Sequence, residues 1–170
     1  MTARSDGGGR AWLFGDYIDT DALAPGLYMK GSIEELASHC LEAVDVDFAT
    51  NVALGDFVVA GRNFGMGSSR EQAAQALKHL GVTAVLARSF AGIFYRNALN
   101  LGLPAVECDA TDTISAGDRL RIDLAVGKIE NLTQGAVFAC EPIPKHLLGL
   151  VCDGGLVPHL EKRFAAKEEP

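Results

Sequence analysis

Positive charge is scarce in this chain: 15 Lys and Arg stand against 22 Asp and Glu, a formal net charge of −7. Gripping a phosphate backbone takes a basic face, so the composition argues against nucleic acid as the main partner, although one local cationic site still suffices for a small anion. Long apolar runs are missing as well. Polar or charged residues interrupt every hydrophobic stretch well short of the roughly 18 residues a membrane span needs. The first nine residues are polar and Gly-rich, without the apolar segment of a secretory signal. A cytoplasmic protein with no membrane association is expected. The four cysteines, Cys40, Cys108, Cys140 and Cys152, form neither a CxxC nor a Cys–His spacing. That excludes a self-contained zinc or iron–sulfur site and argues against a disulfide framework, leaving buried or incidental thiols.

What is present is apolar substance: 48% of 170 residues are hydrophobic, enough for one core and too little for two. The punctuation is short and regular. A strand is expected over residues 11–14, and Ser32 with Glu35 forms a capping box that opens a helix. Residues 57–60 form a strand, followed by a glycine-rich stretch and a helix of strong formers from Glu71 to Leu80. A β-branched strand over 82–87, a helix over 90–101 and a strand over 103–106 complete a parallel β/α core with right-handed crossovers. Residues 119–124, 128–132 and 136–140 alternate like a meander, and 144–163 read as two short helices around Gly154-Gly155. The expected fold is α/β, a small parallel β/α core with an added β-meander, in one domain over 11–164. Residues 1–10 and 165–170 are expected to be flexible ends.

One segment carries chemistry: Gly61-Arg62-Asn63-Phe64-Gly65-Met66-Gly67-Ser68-Ser69-Arg70-Glu71. A strand feeding a glycine loop and a helix start exposes backbone N–H groups to an anion, and Arg70 adds a guanidinium fork. A Walker loop would need a lysine here, and a dinucleotide fingerprint would need a glycine where Arg70 stands, so both nucleotide readings fail. A carboxylate is the anion that remains. The plainer alternative is structural: Ser69 with Gln72 is itself a capping box, leaving Arg70 to an ordinary surface pair.

These residues, with Gly15-Asp16-Tyr17-Ile18-Asp19-Thr20-Asp21 upstream and Ser-Phe-Ala-Gly-Ile-Phe-Tyr-Arg-Asn-Ala-Leu-Asn-Leu-Gly-Leu-Pro downstream, resemble the small subunit of 3-isopropylmalate dehydratase, the family of the swivelling C-terminal domain of aconitase. The resemblance covers residues 12–160 and implies a swivelling β/β/α domain. It implies a hydro-lyase that isomerises a 2-hydroxy acid by dehydration and rehydration, with 3-isopropylmalate in leucine biosynthesis as the leading substrate. It implies a large-subunit partner, in a heterodimer or heterotetramer, that carries a [4Fe-4S] cluster, with none bound by this chain; a homo-oligomer of the isolated chain is left open. By the same resemblance Ser68 is the catalytic base, Ser69 and Arg70 hold a substrate carboxylate, and Asp21 helps position a histidine of the partner; its plainer alternative is an Asx turn.

Lys30 falls in the family's short specificity loop, where an apolar residue suits an isopropyl group and an arginine suits a third carboxylate. It is neither, so homoaconitase- and methylmalate-type substrates stay open, as does a non-catalytic anion-binding module. Met66 and Gln72 stand where many relatives carry Cys and His. Arg96 and Asn97 are expected to support the site or an interface. Phe64, Met66 and Tyr28 are the apolar residues expected to face the partner, or else to form a local core.

Overall fold

The computed structural model describes residues 7–168. Of the two expected flexible ends, residues 1–6 and 169–170 lie outside them. Where they are described, residues 9 and 10 belong to the first strand, held by pairing with Leu120 and Arg119, and residues 165–168 continue the last helix.

Seven strands form one mixed sheet: β1 (Gly9–Leu13), β2 (Phe57–Ala60), β3 (Ala84–Ala87), β4 (Ala105–Glu107), β5 (Arg119–Asp123), β6 (Lys128–Asn131) and β7 (Ala136–Ala139), in the order β4-β3-β2-β1-β5-β6-β7. β1 to β4 are mutually parallel, and β5 to β7 are antiparallel. The expected parallel core and meander are thus two halves of a single sheet, joined where β1 pairs with β5. The sheet curls until its two edges approach, and Glu141 N–H donates to the Glu107 carbonyl at 3.0 Å.

Parallel strands are joined by helical crossovers. α1 (Thr20–Leu23), α2 (Ile33–Ser38) and α3 (Phe48–Asn51) link β1 to β2, α4 (Gln72–His79) links β2 to β3, and α5 (Gly92–Asn100) links β3 to β4. α6 (Lys145–Asp153) and α7 (Leu156–Glu168) close the chain, separated by Gly154 in the left-handed conformation (φ 91°). The capping box opens α2 as expected, with Glu35 N–H donating to Ser32 Oγ at 3.2 Å.

Every residue of β2 and β3 is buried, because helices cover one face and the inside of the curl the other. Val58, Ala60, Val85 and Ala87 face a core built with α1 to α5. Phe57, Val59, Ala84 and Leu86 face a second core shared with Leu120, Ile122, Ile129, Ile143 and Val151. A strand buried on both faces needs an unbroken apolar run, which is what these two segments carry.

Candidate active site

The chemistry-bearing segments lie together at the carboxyl ends of β1, β2 and β3, where open parallel sheets place their ligand crevices. The loop after β1 is zipped to the loop after β2 by a ladder of backbone bonds: Gly61 N–H to Gly15 O (3.2 Å), Tyr17 N–H to Arg62 O (2.7 Å), Gly65 N–H to Ile18 O (2.7 Å) and Thr20 N–H to Met66 O (2.8 Å). Asp16 reinforces it by accepting from Arg62 N–H at 2.6 Å. The loop after β3 braces the other side, as Ser89 accepts from Asn63 N–H through Oγ (2.9 Å) and from Phe64 N–H through its carbonyl (3.0 Å).

Two glycines make this fit possible. Gly65 (φ +77°) passes so close to Phe94 that a Cβ would stand 2.2 Å from the ring, and a Cβ on Gly67 (φ +108°) would stand 2.9 Å from Thr20 Oγ1. Phe64 is fully buried, edge-on to Phe90 and Phe94. The expectation that it faces a partner is corrected: the bonds to Ser89 and Ala91 turn it inward. Tyr28 is half-buried and stacked on His39 at 3.6 Å. Met66 is half-buried, and its sulfur accepts from Asn63 Nδ2.

Ser68 and Ser69 are both exposed on the outer side of this loop pair. Ser69 does not cap α4. The residue before the helix is Glu71, itself in helical conformation and without a side-chain cap, and the first turn is tightened by Ala73 N–H donating to Arg70 O. The amides of residues 69–72 donate to no acceptor among the described residues. Four N–H groups without an acceptor among the described residues thus follow Ser68 at the start of α4, an electropositive setting for an oxyanion or carboxylate.

Arg70 is half-buried, its side chain 24% exposed, and Nη1 is held by the Asp21 carboxylate and by the Ala24 carbonyl at 3.1 Å. Nε and Nη2 have no acceptor among the described residues, which leaves them for an incoming anion. Asp21 therefore has a partner within its own chain. The Asx-type cap of this segment belongs to Asp19, whose Oδ1 accepts from Ala22 N–H at 2.7 Å. Lys30 is exposed just beyond the short 3-10 turn Gly26–Tyr28, with no ion pair among the described residues. Gly26 of that turn lies beside Arg70, a Cβ there standing 3.9 Å from Nη2. Arg96 is exposed and Asn97 half-buried on α5, and neither side chain bonds to the loops.

Thr20 was not singled out by the sequence, yet it is the site's most buried hydroxyl at 2% exposure. Its Oγ1 accepts from Ser68 N–H at 3.1 Å and lies 3.1 Å from Ser68 Oγ. Ser89 was likewise passed over as a brace. Both are ordinary hydroxyl residues whose partners lie 48 and 26 positions away, and no local pattern marks them.

Among the described residues no group of three or more His, Cys, Asp or Glu side chains is placed to hold a metal ion. The thiols are dispersed: Cys40 and Cys108 are buried, and Cys140 and Cys152 are half-buried. Burial pushes the Cys140 thiol up to about 12 and holds Cys108 above the ordinary thiol range. These residues do not fit an iron–sulfur cluster, which needs converging thiolates. Among the described residues, no helix is long and apolar enough to cross a membrane.

A glycine loop presenting Ser-Ser-Arg at the start of a helix, in a curled mixed sheet, defines a known class, and comparison with known proteins agrees. The chain belongs to the aconitase C-terminal domain family, whose profile matches residues 21–111. Its relatives within that family are small subunits. It is 51% identical over 156 residues to the 3-isopropylmalate dehydratase small subunit 1 of Thermotoga maritima, covering 91% of this chain and 94% of the relative. It is 52% identical over 157 residues to the methanogen homoaconitase small subunit of Methanothermobacter thermautotrophicus, covering 91% and 90%. The crystal structure of 3-isopropylmalate dehydratase (leuD) from Methanocaldococcus jannaschii superposes with a TM-score of 0.90 at 44% identity, over 95% of this chain and 97% of that one.

Proposed function

We propose that this chain is the small subunit of a hydro-lyase that interconverts 2- and 3-isopropylmalate in the cytoplasm, in leucine biosynthesis, and that it works only with a large subunit. The observation that carries the reading is the exposed Ser68 at the start of α4, where the amides of residues 69–72 have no acceptor among the described residues and Arg70 keeps Nε and Nη2 unoccupied. The names of the relatives support the substrate and the large-subunit partner.

The chemistry is an elimination. Ser68, as its alkoxide, takes the proton from the carbon beside a carboxylate. The C–H electron pair becomes a C=C bond, and the hydroxyl leaves the neighbouring carbon. Rehydration returns hydrogen and hydroxyl to the exchanged carbons. An ordinary serine is far too weak an acid for this, so the free amides and the guanidinium must stabilise the oxyanion. Ser69 and the unused donors of Arg70 hold the substrate carboxylate, and Asp21 fixes the guanidinium by occupying Nη1. A [4Fe-4S] cluster on the large subunit supplies the Lewis acid for the departing hydroxyl.

A second reading, a homoaconitase-type substrate with a third carboxylate, is favoured by the exposed Lys30, two residues beyond the turn whose Gly26 lies beside Arg70, and by the homoaconitase relative. The test is anaerobic co-purification with the large subunit, assay of iron and sulfide, and turnover on a panel of 2-hydroxy acids. A cluster-bearing partner and activity on isopropylmalate support the proposal, and preference for homoaconitate selects the second reading. A chain that binds dicarboxylates alone, with the large subunit expressed and unbound, makes it a non-catalytic module. Lys30→Val and Lys30→Arg should shift the ratio of substrates; an unchanged ratio removes Lys30 from specificity.

A further inference from the structure

We infer that Thr20 is a positioning residue for the Ser68 base, donating its hydroxyl proton to Ser68 Oγ and holding the deprotonated oxygen in place. The inference rests on the role of Ser68 given above.

The direction of the bond follows from counting donors and acceptors. Thr20 Oγ1 has one proton and two lone pairs. One lone pair takes Ser68 N–H at 3.1 Å, and Ser68 Oγ lies 3.1 Å away. Thr20 is 2% exposed, so bulk water does not reach it, and its hydroxyl has no other partner among the described residues. If Ser68 donated the bond, the Thr20 proton would be buried without an acceptor, an unfavourable arrangement. With Thr20 as donor, every group is satisfied. Once Ser68 has lost its proton, no other direction exists, and a hydrogen bond to an ionised acceptor is about twice as strong as one between neutral groups. The bond therefore favours the alkoxide, which is the state that catalysis requires.

The fold is built to hold this contact. Thr20 opens α1 directly after its cap Asp19, and its own N–H is fixed by Met66 O at 2.8 Å. Gly67 has no Cβ to occupy the space that Thr20 Oγ1 fills, 2.9 Å away. Successive residues thus grip successive parts of the site, with Thr20 on Ser68 and Asp21 on Arg70.

The experiment uses the assembled two-subunit enzyme with Thr20→Val, which keeps the shape and removes the hydroxyl, Thr20→Ser, which keeps it, and Ser68→Ala. Expected for Thr20→Val is a 10- to 1,000-fold fall in kcat with KM changed less than about threefold. The ascending limb of the kcat–pH profile should move to higher pH, because the base is harder to form. Thr20→Ser should recover most of the rate and the original profile. Wild-type kcat and profile in Thr20→Val, with Ser68→Ala inactive, would overturn the role of Thr20 alone. Thr20→Ser as impaired as Thr20→Val would also overturn it, since the hydroxyl would then not be the operative group. An active Ser68→Ala would overturn the reading of Ser68 itself. If Thr20→Val fails to assemble, the profile of Thr20→Ser decides: an intact profile is required, and a displaced one refutes the assignment.

Discussion

The two halves of the sheet are built to different rules. In the parallel half, β2 and β3 are buried on both faces, and their carboxyl ends open into the loops that hold Ser68, Arg70, Asp21 and Thr20. In the antiparallel half, β5, β6 and β7 alternate, with Leu120, Ile122 and Ile129 buried while Arg119, Lys128 and Val137 face water. Tight turns link these strands, such as that at Gly127 (φ +68°), and they contribute no side chain to the site. Each half nevertheless has a buried aspartate one residue before a strand. Asp56, before β2, accepts from Arg10 N–H (2.8 Å), Trp12 Nε1 (3.0 Å) and Ala53 N–H (3.0 Å), and pairs with the Arg10 guanidinium. Asp118, before β5, accepts from Ser115 N–H (2.9 Å), Asn131 Nδ2 (2.7 Å) and Gln134 Nε2 (2.6 Å). The lesson is a division of labour: one half holds the proposed site, and both supply the stability.

The comparison is tested most strongly at its two extremes. Ser68→Ala should lower kcat by about 10³-fold or more, roughly 4 kcal/mol of barrier, and lower the melting temperature by only a few degrees, because the exposed side chain gives up a single hydrogen bond, that to Thr20. A large loss of stability would show that the site is structural. Ile122→Ala, in the antiparallel half, should do the reverse: a loss of about 2–5 kcal/mol in denaturant unfolding, with KM and kcat of the surviving complex unchanged. A change in KM would couple the meander to the site and break the division.

Arg70→Lys should reduce kcat/KM by about 10- to 100-fold, chiefly through KM, since an ammonium held by Asp21 has no fork left for a carboxylate.

The smallest effect separates the two aspartates. Burial alone would raise the Asp56 carboxyl, but the N–H groups of Ala53, Trp12 and Arg10 and the Arg10 charge outweigh it and hold it below the usual 3.8. Asp118 is held down chiefly by the Ser115 N–H and then by Asn131 and Gln134. With the folded value below the unfolded one, the unfolded state binds more protons between the two. The stabilisation is therefore complete above about pH 4 and is lost as pH falls through the folded values. Asp56→Asn and Asp118→Asn should each flatten the melting temperature against pH below that point. Raising salt to about 1 M should weaken only the Asp56 contribution, because only Asp56 faces a cation. Equal salt sensitivity of the two would refute the distinction.

Much of this was legible before the fold. The runs at 57–60 and 82–87, the alternation in the meander and the Ser32 capping box each follow local rules, and the elements they announce fall within a few residues of their expected places, whereas the one-turn helices α1 and α3 were not expected. The capping box at Ser69 obeyed the same local rule and failed, because Arg70 O and Glu71 begin the helix through backbone bonds alone. Phe64 failed for a related reason, since its neighbours Phe90 and Phe94 lie beyond any local pattern.

The sequence by itself determined the fold class and the family, because periodicity, turn residues and a contiguous motif are all local. Only the tertiary structure decided that the meander continues the parallel sheet, that Asp21 grips Arg70 and that Thr20 touches Ser68. The two side-chain contacts join positions 48 and 49 residues apart, and they exist only once parallel crossovers have brought the ends of β1 and β2 side by side.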